Sequence, residues 1–267
     1  MSSYKVGFIG AGNIASAIFS GITKSGYITT DNVYVFDTIE GKVKPFVSTG
    51  ATYVPSVEEI TKTCDFVFLT VKPQVYPDVL SRIKSFVNDT CLIDVAAGIT
   101  TNKVKELVGF DAHVVRVMPN TPLMYGLGSS ALVKCAPVTD DEFDFVRGCF
   151  DSCGVTAVVE EEMINTIIAV CGSAPAYIMR LAKSFMDYAV TNGLNSVDAQ
   201  KLVMQVFAGC ATMVTNSEKS IQELITMVTS PNGTTAAGLA ALDSRDFDKV
   251  ILDCLESTVK RAEELSK

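Results

Sequence analysis

Short, continuously apolar runs alternate with helical segments through the first 160 residues, and after Glu160 the runs stop. They lie at residues 5–10, 33–36, 65–71, 92–96 and 113–118, with two more at 129–134 and 155–159. A strand with one wet face alternates apolar and polar side chains, whereas a strand covered on both faces of a parallel sheet does not. Between the first two runs, Ile14, Ala17, Ile18, Gly21 and Ile22 recur at helical spacing. Further helices are predicted near 57–61, 75–86 and 101–107, and an acidic one from about Asp140. This is an α/β pattern with a doubly wound sheet. Beyond the runs only helical periods remain, at about 163–191, 197–215, 221–228, 234–242 and 247–265. Two domains are therefore expected, 1–160 and an all-α 161–267.

Composition narrows what those domains do. Hydrophobic residues are 48% and the net charge is −8, a poor basis for binding nucleic acid or an anionic membrane. An anionic ligand would have to be held by local devices such as helix N-termini and backbone amides. Eight cysteines occur without a CxxC pair, which reads as reduced thiols in a cytoplasmic protein. His113 is the only histidine. It reads as structural, and no metal site is expected. The chain enters a strand almost at once, leaving no room for a signal peptide. The most apolar stretch, 164–179, is interrupted by Gly172, Ser173 and Pro175 and reads as too short to span a bilayer. The stripe Leu202, Val203, Val206, Phe207 and Cys210 is apolar enough to need cover on several sides, which self-association would provide.

Six motifs can carry chemistry. GAGNIA at 10–15 follows a strand and opens a helix. Its glycines allow close approach of a pyrophosphate, and the helix N-terminus offers it free amides, as in a Rossmann fold. Asp37 ends the second strand, where an acidic side chain accepts hydrogen bonds from the ribose 2′-OH of NAD and repels the 2′-phosphate of NADP. VKPQ at 71–74 and AAG at 96–98 follow strands at the edge where open α/β sheets bind ligands. RVMPNTP at 116–122 is a stiff loop with two prolines. GSAPAY at 172–177 puts Gly and Pro in a helical region, at costs of roughly 1 and 3 kcal/mol. SPNGTT at 230–235 precedes a helix and could cradle a carboxylate.

Taken in order, FIGAGNIASAI, VKPQ, AAGIT, RVMPNTP, GSAPAYI and TSPNGTTAAGL resemble the pyrroline-5-carboxylate reductases over the whole chain. The resemblance implies reduction of L-1-pyrroline-5-carboxylate to L-proline by NAD(P)H, the last step of proline biosynthesis. It implies a Rossmann-like domain, a helical dimerisation domain, and a homodimer that builds a larger ring, commonly a decamer. By the same resemblance, Gly10, Gly12, Asn13 and Ile14 match the pyrophosphate loop. Val71, Lys72 and Pro73 match the loop beside the adenosine half, and Ala97 and Asn120 match positions near the nicotinamide. Gly233, Thr234 and Thr235 match the segment holding the substrate carboxylate, while Glu161 and Glu218 match acidic positions near the ring nitrogen. Ser173 is a further substrate candidate, and Thr235 and Glu218 are the candidate catalytic residues.

Three positions depart from the family's habit. Asn232 stands where glycine is common, which a left-handed backbone can accommodate. Ala174 replaces a Gly or Ser. Asp37 replaces a small polar residue, which favours NADH. A β-hydroxyacid or imine dehydrogenase of the same plan is the alternative enzyme, with Lys183 the nearest candidate for a catalytic lysine. A nucleotide sensor without turnover is the non-enzymatic alternative.

Overall fold

The computed structural model describes residues 3–87, 90–108 and 112–265. By its contacts the chain divides into two compact units, Met1–Pro175 with Thr258–Lys267, and Ala176–Ser257.

The first unit is built on one eight-stranded sheet of order β3-β2-β1-β4-β5-β6-β7-β8. Its strands are β1 (Val6–Ile9), β2 (Val33–Phe36), β3 (Thr52–Tyr53), β4 (Phe66–Leu69), β5 (Cys91–Asp94), β6 (Val114–Met118), β7 (Gly128–Lys134) and β8 (Gly154–Val158). Every pairing is parallel except β6 with β7. Strands β1, β4, β5 and β6 are buried at every residue, as their unbroken apolar runs require. Helices α1 (Asn13–Lys24), α2 (Glu40–Ser48), α3 (Val57–Thr63), α4 (Tyr76–Ile83), α5 (Thr101–Val108) and α6 (Asp140–Asp151) complete the layers. One core face packs Phe8, Phe19, Phe46 and Phe68 with Phe150, the other Ile60, Tyr76, Leu80 and Ile83.

Sequence periodicity did not reveal α2 or β3. Helix α2 contains Gly41 and Pro45 and buries only Val43 and Phe46, too few apolar positions to show a period. Strand β3 is two exposed residues.

Beyond β8, α7 (Ile164–Ile167) runs into a π-helical turn, Ile168–Gly172, and then α8 (Ala174–Thr191). The expected interruption at Gly172–Pro175 does not end the helix, because the wide turn absorbs it, with Ser173 N–H donating to the Ile168 carbonyl at 2.8 Å. By length and composition Glu161–Thr191 is long and apolar enough to cross a bilayer. Helices α9 (Ser196–Asn216), α10 (Ile221–Met227), α11 (Thr234–Asp243) and α12 (Phe247–Leu265) follow. Ile164, Ile168 and Ala262 pack on Met118, Ala131 and Val133, so the start of the helical region and the last turns of α12 belong to the first unit.

Candidate active site

The carboxyl ends of β1, β2 and β4 meet around a cavity of about 230 Å³, lined by Gly10, Gly12, Asp37, Lys42, Val71, Lys72 and Arg82 among others. Gly10 has φ +102°, and a Cβ there would lie 2.9 Å from the Thr70 carbonyl carbon and oxygen. That approach is why glycine is required. At Gly12, by contrast, a Cβ would meet nothing within 4 Å. Gly12 caps α1 without a side-chain hydrogen bond, and no acidic residue stands in the helix's first turn. An uncapped twelve-residue helix N-terminus beside an open glycine is a fit for a pyrophosphate. Asn13 and Ile14 begin that helix.

Asp37 sits where expected, and both of its oxygens are engaged. Oδ2 accepts from Ala11 N–H at 2.8 Å and Oδ1 from Ile39 N–H at 2.9 Å. The carboxylate thus fastens the β2–α2 turn to the glycine loop. It still lines the cavity and retains free lone pairs. Arg82 lines the same cavity although it is distant in sequence, but its guanidinium is bidentate to Glu58 at 2.9 and 3.0 Å. Val71, Lys72 and Pro73 follow β4, with Lys72 exposed and Pro73 opening a short 3-10 turn.

The loop after β5 carries Ala97, partly buried, and Gly98 at φ +83°. Asn120 is buried and its amide is taken up by the protein. Its Oδ1 accepts from Ser129 N–H at 3.0 Å and its Nδ2 donates to the Cys171 carbonyl at 3.3 Å. It therefore ties the RVMPNTP loop to the π-turn that leads into Ser173. Glu161 changes from its expected part. Oε1 accepts from Thr101 N–H and from Arg116, each at 2.8 Å, and Oε2 accepts from the Thr101 hydroxyl at 2.7 Å. Burial pushes its carboxyl up, but the Thr101 and Arg116 hydrogen bonds outweigh burial and hold it below the usual glutamate range. With its charge answered by Arg116, Glu161 is a poor electrostatic partner for a substrate nitrogen.

Two buried charges escaped the sequence reading. Asp94 ends β5 with no exposure and Arg116 stands opposite it on β6 at 3%. Asp94 Oδ1 accepts from Tyr76 O–H at 2.6 Å and from Ala96 N–H at 2.9 Å. Its Oδ2 and the Nε of Arg116 have no partner among the described residues. Burial pushes the Asp94 carboxyl up to about 6 against those hydrogen bonds and the Arg116 charge. The available signal was a charge inside each of two apolar runs, LIDVA and HVVRVM. His113 is structural, as expected: its Nδ1 lies 2.8 Å from both oxygens of Glu142.

In the second unit, 230–235 forms a turn before α11, with Gly233 N–H donating to the Ser230 carbonyl at 3.0 Å. Asn232 adopts φ 58°, the left-handed backbone its side chain was expected to tolerate. A Cβ on Gly233 would lie 2.3 Å from the Ser230 hydroxyl oxygen. Gly233 caps α11 without a side-chain hydrogen bond, leaving Thr234 and Thr235 in its first turn. Glu218 is exposed in the segment between α9 and α10. Lys183 pairs with Asp187 one turn along α8, both exposed, and so gives no support to the β-hydroxyacid dehydrogenase alternative. Among the described residues no group of three or more His, Cys, Asp or Glu could hold a metal.

A doubly wound sheet with a glycine cradle at its carboxyl edge, continued by helices, defines an NAD(P)-dependent oxidoreductase. Comparison with known proteins agrees. Residues 161–265 match the family model for pyrroline-5-carboxylate reductase dimerisation, and 5–98 match that for NADP oxidoreductases, coenzyme F420-dependent. The pyrroline-5-carboxylate reductase of Escherichia coli is 32% identical over 265 residues, covering 98% of each chain. That of Arabidopsis thaliana is 34% identical, covering 99% of this chain and 96% of the other. The crystal structure of Plasmodium falciparum pyrroline carboxylate reductase, with NADP bound, superposes with TM-score 0.94 at 30% identity over the full length of both chains. A Streptomyces aurantiacus imine reductase, at 14% identity and TM-score 0.57, shares the fold alone. The chain belongs to the pyrroline-5-carboxylate reductase family.

Proposed function

We propose that this protein reduces L-1-pyrroline-5-carboxylate to L-proline, the closing step of proline biosynthesis. The main support is the match to reductases of that name over nearly the whole chain, with the dinucleotide cradle intact. The reduced nicotinamide, when bound, supplies the hydride. Gly10, Gly12, Asn13 and Ile14 would hold its pyrophosphate at the α1 N-terminus. Val71, Lys72 and Pro73 would flank the adenosine half, and Ala97 with the loop around Asn120 would border the nicotinamide.

The amides of Gly233, Thr234 and Thr235 are proposed to hold the substrate carboxylate at the α11 N-terminus, with Ser173 a further contact. Thr235 would hydrogen-bond near the ring nitrogen, and Glu218 would favour the cationic iminium form by its charge. An iminium accepts hydride readily. The protein's main task is therefore to hold the ring carbon in near-attack geometry.

NADH is expected to serve at least as well as NADPH. A 2′-phosphate would meet the Asp37 carboxylate, Arg82 is committed to Glu58, and Lys44 pairs with Glu40. Lys42 and Lys72, which line the cavity, are cations that can soften that repulsion. A homodimer is proposed through the exposed apolar faces of α8 and α9, with a decameric ring as the expected assembly. A cytoplasmic location is supported by the eight scattered cysteines, which carry no CxxC pair. Oxidation of NADH and of NADPH, each followed with and without L-1-pyrroline-5-carboxylate, tests the reaction and the cofactor preference together. Cofactor bound but not consumed would indicate a sensor.

A further inference from the structure

The loop 96–101, whose Ala97 is proposed above to border the nicotinamide, is fastened at three points. At its start, Asp94 Oδ1 accepts from Ala96 N–H at 2.9 Å while also accepting from Tyr76 O–H. At its middle, the last turn of α12 closes on Gly98. A Cβ there would lie 2.8 Å from the Leu265 Cβ and 3.0 Å from its carbonyl carbon. At its end, Thr101 donates both its N–H and its hydroxyl to the Glu161 carboxylate, at 2.8 and 2.7 Å.

The third fastening is more than helix capping needs. Thr100 already caps α5, its hydroxyl oxygen accepting from Lys103 N–H at 3.1 Å. Glu161 comes from 60 residues away. It is held in turn by Arg116, whose side chain is 3% exposed and which is the register neighbour of Asp94. Burying such a pair costs desolvation that its attraction repays only with good geometry. Defined geometry is what a loop beside a reacting ring requires, since a misplacement of about 1 Å can cost 10²-fold in rate.

We propose that Glu161 and Thr101 are positioning residues for hydride transfer, acting through the 96–101 loop, which rests on the assignment of that loop to the nicotinamide. Glu161 touches neither substrate nor cofactor in this role. Arg116 keeps its carboxylate in place, and Thr101 transmits that placement to Ala97 and Gly98.

The test uses Thr101→Val, which keeps the shape and the Arg116–Glu161 pair but deletes the hydroxyl donor. Thr101→Ser is the rescue, and Glu161→Gln a stronger perturbation. Four quantities are measured on the full chain: kcat, the primary isotope effect with cofactor dideuterated at C4, cofactor Kd by nucleotide fluorescence, and amide exchange over 96–101 in cofactor-free protein. Thr101→Val is expected to lower kcat about three- to tenfold and to raise the isotope effect. It should speed exchange in the loop and leave Kd within about twofold, because the adenosine half is untouched. Thr101→Ser should restore all of these, and Glu161→Gln should move them further in the same direction. Wild-type kcat, isotope effect and loop exchange in Thr101→Val would overturn the proposal. So would a loss of activity that merely tracks the folded fraction with an unchanged isotope effect. A wild type inactive on L-1-pyrroline-5-carboxylate overturns the reaction as well, which separates the two failures.

Discussion

The two units have similar apolar sequences and opposite fates for their apolar side chains. In the first, β1, β4, β5 and β6 are wholly buried, and α1 alone hides Ala15, Ala17, Ile18, Phe19, Gly21 and Ile22. In the second, α9 buries only Ala199 over 21 residues, and α11 buries nothing. Leu202 and Val206 are 57% and 58% exposed, and Phe185, Tyr188 and Met179 are exposed on α8. Each such side chain forgoes part of the roughly 1.5–3 kcal/mol that full burial of a large apolar side chain is worth. One chain thus completes its own core around the cofactor cradle and leaves the other unit's core to be completed by a second copy, as a dimerisation family implies.

The sharpest way to break this contrast is to charge the open face. Leu202→Glu with Val206→Glu should convert the assembly to monomers at micromolar concentration, because buried unpaired charges cost several kcal/mol. Activity should fall by more than tenfold while cofactor binding by the first unit persists. Sedimentation showing an unchanged mass would leave that face without its proposed partner. Next in size, Thr235→Ala should cost about 1–3 kcal/mol of transition-state binding, read as kcat/KM for the pyrroline substrate. Cofactor Kd should not move, so an equal loss of cofactor affinity would put Thr235 on the wrong ligand. On the first unit, Asp37→Ser should shift preference toward NADPH by about 1–2 kcal/mol. A wild type that already prefers NADPH tenfold would show that the carboxylate serves only Ala11 and Ile39.

The smallest effect concerns acid. Glu142 is held below the usual glutamate range: burial pushes it up, and hydrogen bonds from Thr139 and His113 more than offset that. A depressed folded-state value means stability present above the ordinary glutamate pKa and lost as pH falls through the folded one. Glu142→Gln should therefore destabilise the fold near neutrality by no more than about 1 kcal/mol, lowering Tm slightly and flattening the acid limb of a Tm-against-pH curve. An unchanged limb would mean that the Thr139 and His113 contacts to this carboxylate contribute nothing to acid stability.

Legibility followed the range of the interaction. The strand positions at 33–36 and 113–118 and the helices at 221–228 and 247–265 were readable because unbroken apolar runs and helical periods are local, strong signals. Helix α2 and strand β3 were not, since Gly41 and Pro45 dilute the one and two exposed residues make up the other. The glycine loop and the Asn232 turn were readable because their chemistry is backbone conformation, written in the residues themselves. The change of part for Glu161 was invisible, since its partners Thr101 and Arg116 lie 60 and 45 residues away.

By itself, then, the sequence determined the doubly wound sheet apart from β3, the run of helices, the glycine loop and the family. Tertiary structure decided which charges are neutralised and which remain available. Asp37 came to fasten a turn, Asn120 to join two loops, Arg82 to enter the cavity already paired, and Asp94 to sit fully buried beside Arg116. The physical reason is that a propensity or a tight turn is a property of neighbouring residues. A buried charge depends on what the fold brings within about 3 Å of it, and no local pattern encodes that distance.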